Sequence, residues 1–238
     1  MADKYIKETA DLISFSQNEL SNIASTLSNL KSIINNHPEF REPFLGGSYK
    51  RATMVKGVSD VDVYFRYTGN GNSQSALATL KNSLTKSYPT TIIKQDSPSI
   101  LADFNKIPIN ITPYKEDISG NLSIPDRSLL SWKLINFGQL EASIIQLRQR
   151  NLKYIDLIKV LKLWNFNYKK GLKNFDIEKR VCNIFLSQLS TSQTLTDWLW
   201  NFFQNNGFSN EAQKVHSLMH IREEAKLRAD WQKFINNK

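Results

Sequence analysis

Two aspartates, Asp60 and Asp62, sit inside the run Val58-Ser59-Asp60-Val61-Asp62-Val63-Tyr64-Phe65. The β-branched and aromatic neighbours read as a buried strand. Strand side chains alternate between faces, so Asp60 and Asp62 point one way and Val61 and Val63 the other. Two carboxylates on one face of a buried strand repel each other and lose hydration unless a cation lies between them. A hard divalent metal, Mg²⁺ or Mn²⁺, answers that need, because it takes carboxylate oxygens together with phosphate oxygens. Upstream, Gly47 and Ser48 offer backbone N–H groups and a hydroxyl at close approach, which suits a phosphate. The competing reading is a surface hairpin with two solvated aspartates.

The elements that must position these groups follow from periodicity. Ile6, Ile13, Leu20, Ile23, Leu27, Leu30 and Ile34 recur on one helical face, which predicts a single long helix over 3–36, stopped by Pro38. A coiled-coil partner interface is the other use of such a face. Leu77, Leu80 and Leu84 mark a helix over 75–87, and strands are predicted at 90–94, 100–105 and 107–114. Beyond Pro125 the strand signal disappears, and helices are predicted at 126–149, 152–170, 175–189, 194–205 and 210–235. Gly171, Gly207 and Ser190–Gln193 punctuate them. The expectation is an α+β chain, with a mixed sheet and flanking helices over 1–124 and a helical lobe over 125–238.

With 238 residues, 40% apolar and 22% charged, the chain has ordinary globular composition and enough length for a sizeable core. It shows no membrane-length apolar run and no signal-peptide pattern, and its single cysteine, Cys182, excludes an internal disulfide. A cytoplasmic protein is expected. The formal charge of +9 favours polyanionic ligands. Ten basic residues (Arg148, Arg150, Lys153, Lys159, Lys162, Lys169, Lys170, Lys173, Lys179, Arg180) against three acids (Asp156, Asp176, Glu178) concentrate that charge over 148–180. This segment is a solvated helical surface for most of its lysines and a candidate wall for a triphosphate or an oligonucleotide. Ser48 does not suit acyl chemistry, since the only histidine of the N-terminal half is His37, in a helix-ending turn. His216 and His220, four apart, could share a metal but lack a third ligand. Trp198, Trp200, Phe202 and Phe203 read as core.

The pattern Gly47-Ser48 … Asp60-Val61-Asp62 resembles the polymerase-β-like nucleotidyltransferases. Arg51 and Thr53 extend the likeness to the oligoadenylate-synthase-like and bacterial cyclic-oligonucleotide-synthase (CD-NTase) branch. Leu161-Lys162-Leu163-Trp164 followed by Asn174-Phe175-Asp176-Ile177-Glu178 resembles the same branch's helical-lobe element, and Ile124-Pro125-Asp126 with Trp132 resembles its passage between lobes. The resemblance implies a nucleotidyltransferase palm braced by a long first helix and followed by a helical lobe, with the active site in the cleft between them. It implies that Asp60 and Asp62 hold two Mg²⁺ (or Mn²⁺) ions. It further implies that Gly47, Ser48, Arg51, Thr53, Lys162 and Asn174 bind the nucleotide, with Asn174 standing where serine is usual and Glu178 orienting its neighbours. The implied product is a cyclic or short linear oligonucleotide, made without a template from nucleoside triphosphates such as ATP and read by an effector protein in bacterial antiviral defence.

One position departs from the pattern. The family's third carboxylate falls in Ile109-Asn110-Ile111-Thr112-Pro113, where Asn110 keeps the shape but loses the charge and cannot take a proton. Turnover lower by orders of magnitude with nucleotide binding retained is the expected consequence. Asn110 is then an engineered replacement, or native to a binding-only relative, or compensated by another acid, for which Asp103, Glu116 and Asp117 are the nearest. A catalytically silent binding module and nucleotidyl transfer to a protein or RNA end are the other functional readings.

Overall fold

The alternation around Asp60 and Asp62 is realised by strand β2 (Val61–Tyr67), whose Val61, Val63 and Phe65 have no exposed surface while Asp62 is half-buried. A computed structural model of the chain describes residues 2–136, 138–150, 153–187 and 193–237. The described residues form ten helices and seven strands. The chain separates into two compact units, one of 1–14, 52–58 and 140–238, the other of 15–51 and 59–139.

The second unit holds the sheet. Its elements are α2 (Gln17–Asn35), β1 (Phe40–Gly46), α3 (Gly47–Lys50), β2, α4 (Ser73–Ser87), β3 (Ile92–Asp96), β4 (Ser99–Phe104), β5 (Ile107–Glu116), β6 (Leu122–Pro125) and β7 (Trp132–Ile135). The strand order is β1-β2-β5-β4-β3, with β6 joining β5 to β7. β2 and β5 run parallel and every other pair is antiparallel, so the sheet is mixed as expected. Ile100, Ala102, Ile109 and Ile111 share the buried face with Val61 and Val63, and α4 packs on β3, β4 and β5 through Leu77, Leu80 and Leu84. By alternation the opposite face carries Asp60, Asp62 and Asn110.

The first unit is helical: α1 (Ala2–Leu12), α5 (Gly138–Arg150), α6 (Lys153–Asn167), α7 (Asn174–Ser187), α8 (Leu195–Asn205), α9 (Ser209–Met219) and α10 (Glu224–Asn236). α6 is buried nearly all round, through Tyr154, Leu157, Ile158, Val160, Leu161 and Trp164. α1 is tied in from the far end of the chain: Asp3 accepts from the N–H groups of Leu195 (3.0 Å) and Thr196 (2.9 Å), at the positive end of α8. The Trp231 indole donates to Thr9 Oγ1 at 2.9 Å. Trp198, Phe202 and Phe203 are buried and Trp200 partly so, as the core reading expected.

Three expectations are corrected. The single helix over 3–36 is two helices, because Ser16 caps α2 with a capping box: its side chain accepts from the Glu19 N–H, and the Glu19 carboxylate accepts from the Ser16 N–H at 2.9 Å. α1 and α2 then fall in different units. The helix over 126–149 starts only at Gly138. Before it, Asp126 accepts from the N–H groups of Leu130 and Ser131 and closes the β6–β7 hairpin, while the Trp132 ring stacks on Tyr67 at 6.2 Å. The sheet unit runs on to Gln139. The helix over 210–235 is broken at 220–223 into α9 and α10. Ser190, Thr191 and Ser192 of the expected polar break, and the side chains of Arg148 and Arg150, lie outside the described residues.

Candidate active site

The acidic face of the sheet is assembled by strand register. Parallel pairing sets Asp62 beside Asn110, and antiparallel pairing on the other side of β2 sets Gly46 beside Asp62. β1 then turns directly into α3, whose first residue, Gly47, has φ +61°. A Cβ at Gly47 would fall inside the Asp62 carboxylate, so only glycine lets the turn approach so closely. Gly47→Ala is therefore expected to push Asp62 off its position. Calorimetry with Mn²⁺ and a nucleoside triphosphate should read a fall in affinity of at least about tenfold, or ~1.4 kcal/mol. Ser48, one residue on, is buried at 8% exposure.

Asn110 links the carboxylates to the rest of the sheet. Its Nδ2 donates to Asp60 Oδ2 at 3.0 Å, and the Ser99 hydroxyl lies 3.5 Å from its Oδ1. A third carboxylate at this position would repel Asp60, whereas the amide donates to it. The Asp60 carboxyl is nevertheless held above the usual carboxylate range, first by burial and further by the charge of Asp96, with the Asn110 bond working the other way. An ionised Asp60 in this setting lacks enough positive partners, and a divalent cation bound with Asp62 would supply them.

Of the acids expected to stand in for Asn110, Asp103 shares its face two residues on from Leu101, while Glu116 and Asp117 have partners of their own. Asp103 stands opposite Pro108 and lines a cavity of 340 Å³ with Thr26, Tyr88 and Thr90. Glu116 pairs with Arg66 at 3.4 Å, and Asp117 closes a turn by accepting from the N–H groups of Ser119 and Asn121. The acid whose charge reaches Asp60 is Asp96, at the end of β3. Neighbouring residues in the sequence give no hint of it, because only the pairing of three strands brings it to this face.

Within the helical unit a second polar cluster gathers Thr53, Lys162 and Glu178. Lys162 Nζ lies 2.6 Å from Glu178 Oε1 and donates to Thr53 O at 2.9 Å and Thr53 Oγ1 at 3.2 Å. The Thr53 hydroxyl in turn donates to Glu178 Oε1 at 2.5 Å. Lys162 and Thr53 have no exposed surface and Glu178 only 1%. Lys162 and Thr53, expected among the nucleotide ligands, are thus committed to Glu178 and to each other. The burial of Lys162 is not what the sequence suggests, because a lysine on an apolar helix ordinarily extends its tip to water. Asn174 sits half-buried at the start of α7, one turn before Glu178, and Arg51 is buried at the end of α3.

The basic run also thins on inspection. Lys159 donates to Ser14 Oγ at 2.8 Å, Lys170 pairs with Glu211 at 2.8 Å, and Arg180 donates to Asn206 at 2.7 Å. Lys169, Lys173 and Lys179 are not buried. His216 and His220 bring their Nε2 atoms within 3.4 Å at the exposed end of α9. Among the described residues no three His, Cys, Asp or Glu side chains group as a metal cage.

The Second Messenger Oligonucleotide or Dinucleotide Synthetase domain, SMODS, matches residues 1–149. This chain belongs to the SMODS family. Second-messenger oligonucleotide or dinucleotide synthesis is the activity that family is described by, which makes the chain a nucleotidyltransferase by family. No curated protein matches it. Solved structures do. CdnC of E. coli MS115-1, solved with ATP, is 13% identical, covers 98% of this chain and 97% of its own, and superposes with TM-score 0.80. CdnG of Bradyrhizobium diazoefficiens, solved with GTP, is 10% identical over 99% and 90% of the two chains with TM-score 0.71. DncV of Vibrio cholerae, a cyclic AMP-GMP synthase, is 10% identical over 82% and 68% with TM-score 0.66. At these identities the likeness establishes the shared α+β fold. No helix among the described residues is long and apolar enough to cross a membrane.

Proposed function

We propose that this SMODS protein is a metal-dependent, template-independent synthetase that joins nucleoside triphosphates into a short cyclic or linear oligonucleotide signal. The observation that carries this reading is the convergence of Asp60, Asp62 and the Gly47-Ser48 turn on one face of the sheet, with Asn110 bonded to Asp60. The donor set fits Mg²⁺ or Mn²⁺: two hard carboxylates, one of them desolvated, with phosphate oxygens left to complete the shell. Bound there, the metal would neutralise triphosphate charge and sharpen the attacking hydroxyl.

The protein's own part is positioning. Asp60 and Asp62 fix the carboxylate pair on a rigid strand, and Gly47 lets backbone and the Ser48 hydroxyl approach the phosphates without a side chain in the way. A ribose hydroxyl of one nucleotide then attacks the α-phosphorus of another and pyrophosphate leaves. Lys162, Thr53 and Glu178 hold the segment 52–58, which in sequence joins the Gly47-Ser48 turn to the Asp60 strand. Lys169, Lys173 and Lys179 offer a cationic surface to an oligonucleotide.

Structures of CdnC with ATP and CdnG with GTP support nucleoside triphosphates as substrates. A structure of CdnC with a HORMA protein supports a protein partner for this chain as well. The signal would act in the cytoplasm, on an effector protein, in bacterial antiviral defence. Incubation with each labelled nucleoside triphosphate and Mg²⁺ or Mn²⁺ tests the reading. Short soluble labelled nucleotides are expected. Label on the protein or on RNA ends would replace the signalling role with terminal transfer. Asn110 favours a second reading, a binding module, which saturable nucleotide binding without product would establish.

A further inference from the structure

Asp96 ends β3 directly opposite Ser99, and Leu101 on β4 stands opposite Asn110. Residues opposite each other in an antiparallel pair share a face, and so do residues two apart on one strand. Asp96, Ser99, Leu101, Asn110, Asp62 and Asp60 therefore lie on the same face. Hydrogen bonds follow this register. The Ser99 hydroxyl donates to the Asp96 carbonyl at 2.8 Å and lies 3.5 Å from Asn110 Oδ1, while Asn110 Nδ2 holds Asp60. The turn after Asp96 is pinned too, since Ser97 Oγ donates to Arg127 O at 2.8 Å. Asp96 itself is exposed, so its carboxylate is open to solvent.

We propose that Asp96 furnishes the third carboxylate of this site and takes the proton of the attacking hydroxyl, which Asn110 cannot accept. The inference rests on the synthetase function proposed above. In the step, the hydroxyl O–H bond breaks and its proton passes to the Asp96 carboxylate. The oxygen's electron pair forms the bond to the α-phosphorus, and the bond to the bridging oxygen breaks with its pair leaving on pyrophosphate. Asp96 thus adds a carboxylate to Asp60 and Asp62 on this face, which also carries Asp103 beside Pro108. The repulsion that Asp96 exerts on Asp60 is independent support for its nearness.

The test compares the full chain with Asp96→Asn, Asp96→Ala, Asn110→Asp and the double variant Asp96→Asn/Asn110→Asp. Single-turnover product formation, Mn²⁺–nucleotide binding by calorimetry and melting temperature are read for each. Both Asp96 variants are expected to slow product formation by about 10²–10⁴-fold. Their nucleotide affinity should stay within about threefold of the unchanged chain and their melting temperature should not fall, since a proton acceptor contributes little to ground-state binding. Adding Asn110→Asp to Asp96→Asn is expected to restore the rate. Equal turnover by Asp96→Asn and the unchanged chain would overturn the proposal. So would a silent unchanged chain beside an active Asn110→Asp, an outcome that leaves the synthetase reading standing. Absence of both binding and product in all five proteins overturns the synthetase reading itself.

Discussion

Asp62→Asn is expected to lower product formation by about three orders of magnitude, ~4 kcal/mol of transition-state stabilisation. The carboxylate lies against the Gly47 turn and beside Asn110, at the centre of the acidic face, where an amide would bring no charge to hold a metal-bound triphosphate. Asp60→Asn should cost comparable activity, yet its effect on stability has the opposite sign. The folded protein holds the Asp60 carboxyl above its ordinary value, through burial first and the charge of Asp96 second. The fold thus favours the protonated form, and the penalty for ionised Asp60 is absent below the unfolded value and complete above the folded one. Above the unfolded value the penalty is felt, and Asp60→Asn removes it. Thermal denaturation without metal should give a higher melting temperature for Asp60→Asn, while the activity assay gives little product. A lower melting temperature would mark Asp60 as a structural group instead.

The second large effect concerns Lys162. Its ammonium and the Glu178 carboxylate lie 2.6 Å apart with essentially no exposure, so removing either leaves a buried charge without its counterpart. Lys162→Met is expected to cost about 3–5 kcal/mol, read as a fall in the urea midpoint. Lys162→Met/Glu178→Met should recover most of that loss, because apolar side chains of similar volume replace a buried pair at little net cost. A single variant within about 1 kcal/mol of the unchanged chain would show that the pair is not what anchors segment 52–58.

How much of this was legible in the sequence depends on the range of the interaction. The Asp60–Asp62 strand was readable because its pattern is local: period-two apolar residues, a glycine turn upstream, a family spacing between them. Asn110 was readable for the same reason, from the short motif around Ile109 and Pro113, and the register beside Asp62 agrees with it. The break at Ser16 was written in a local signal as well, a serine with glutamate three residues on, but the heptad-spaced apolar face masked it. The β6–β7 hairpin was missed because Asp126 closes it through a side chain, against a background of helix-forming residues. Asp96 and the buried Lys162 could not be read at all. One depends on three successive strand pairings and the other on a helix buried on every side, and neither leaves a periodic trace.

The most direct test of the central claim is the product of the unchanged chain. All four nucleoside triphosphates, labelled at the α-phosphorus, would be supplied with Mg²⁺ and separately with Mn²⁺, and the soluble products resolved by chromatography and mass. A metal-dependent short oligonucleotide, abolished by Asp62→Asn, is the expected result. Label recovered only on protein or RNA, or saturable nucleotide binding with no product from this chain or from Asn110→Asp, would contradict it.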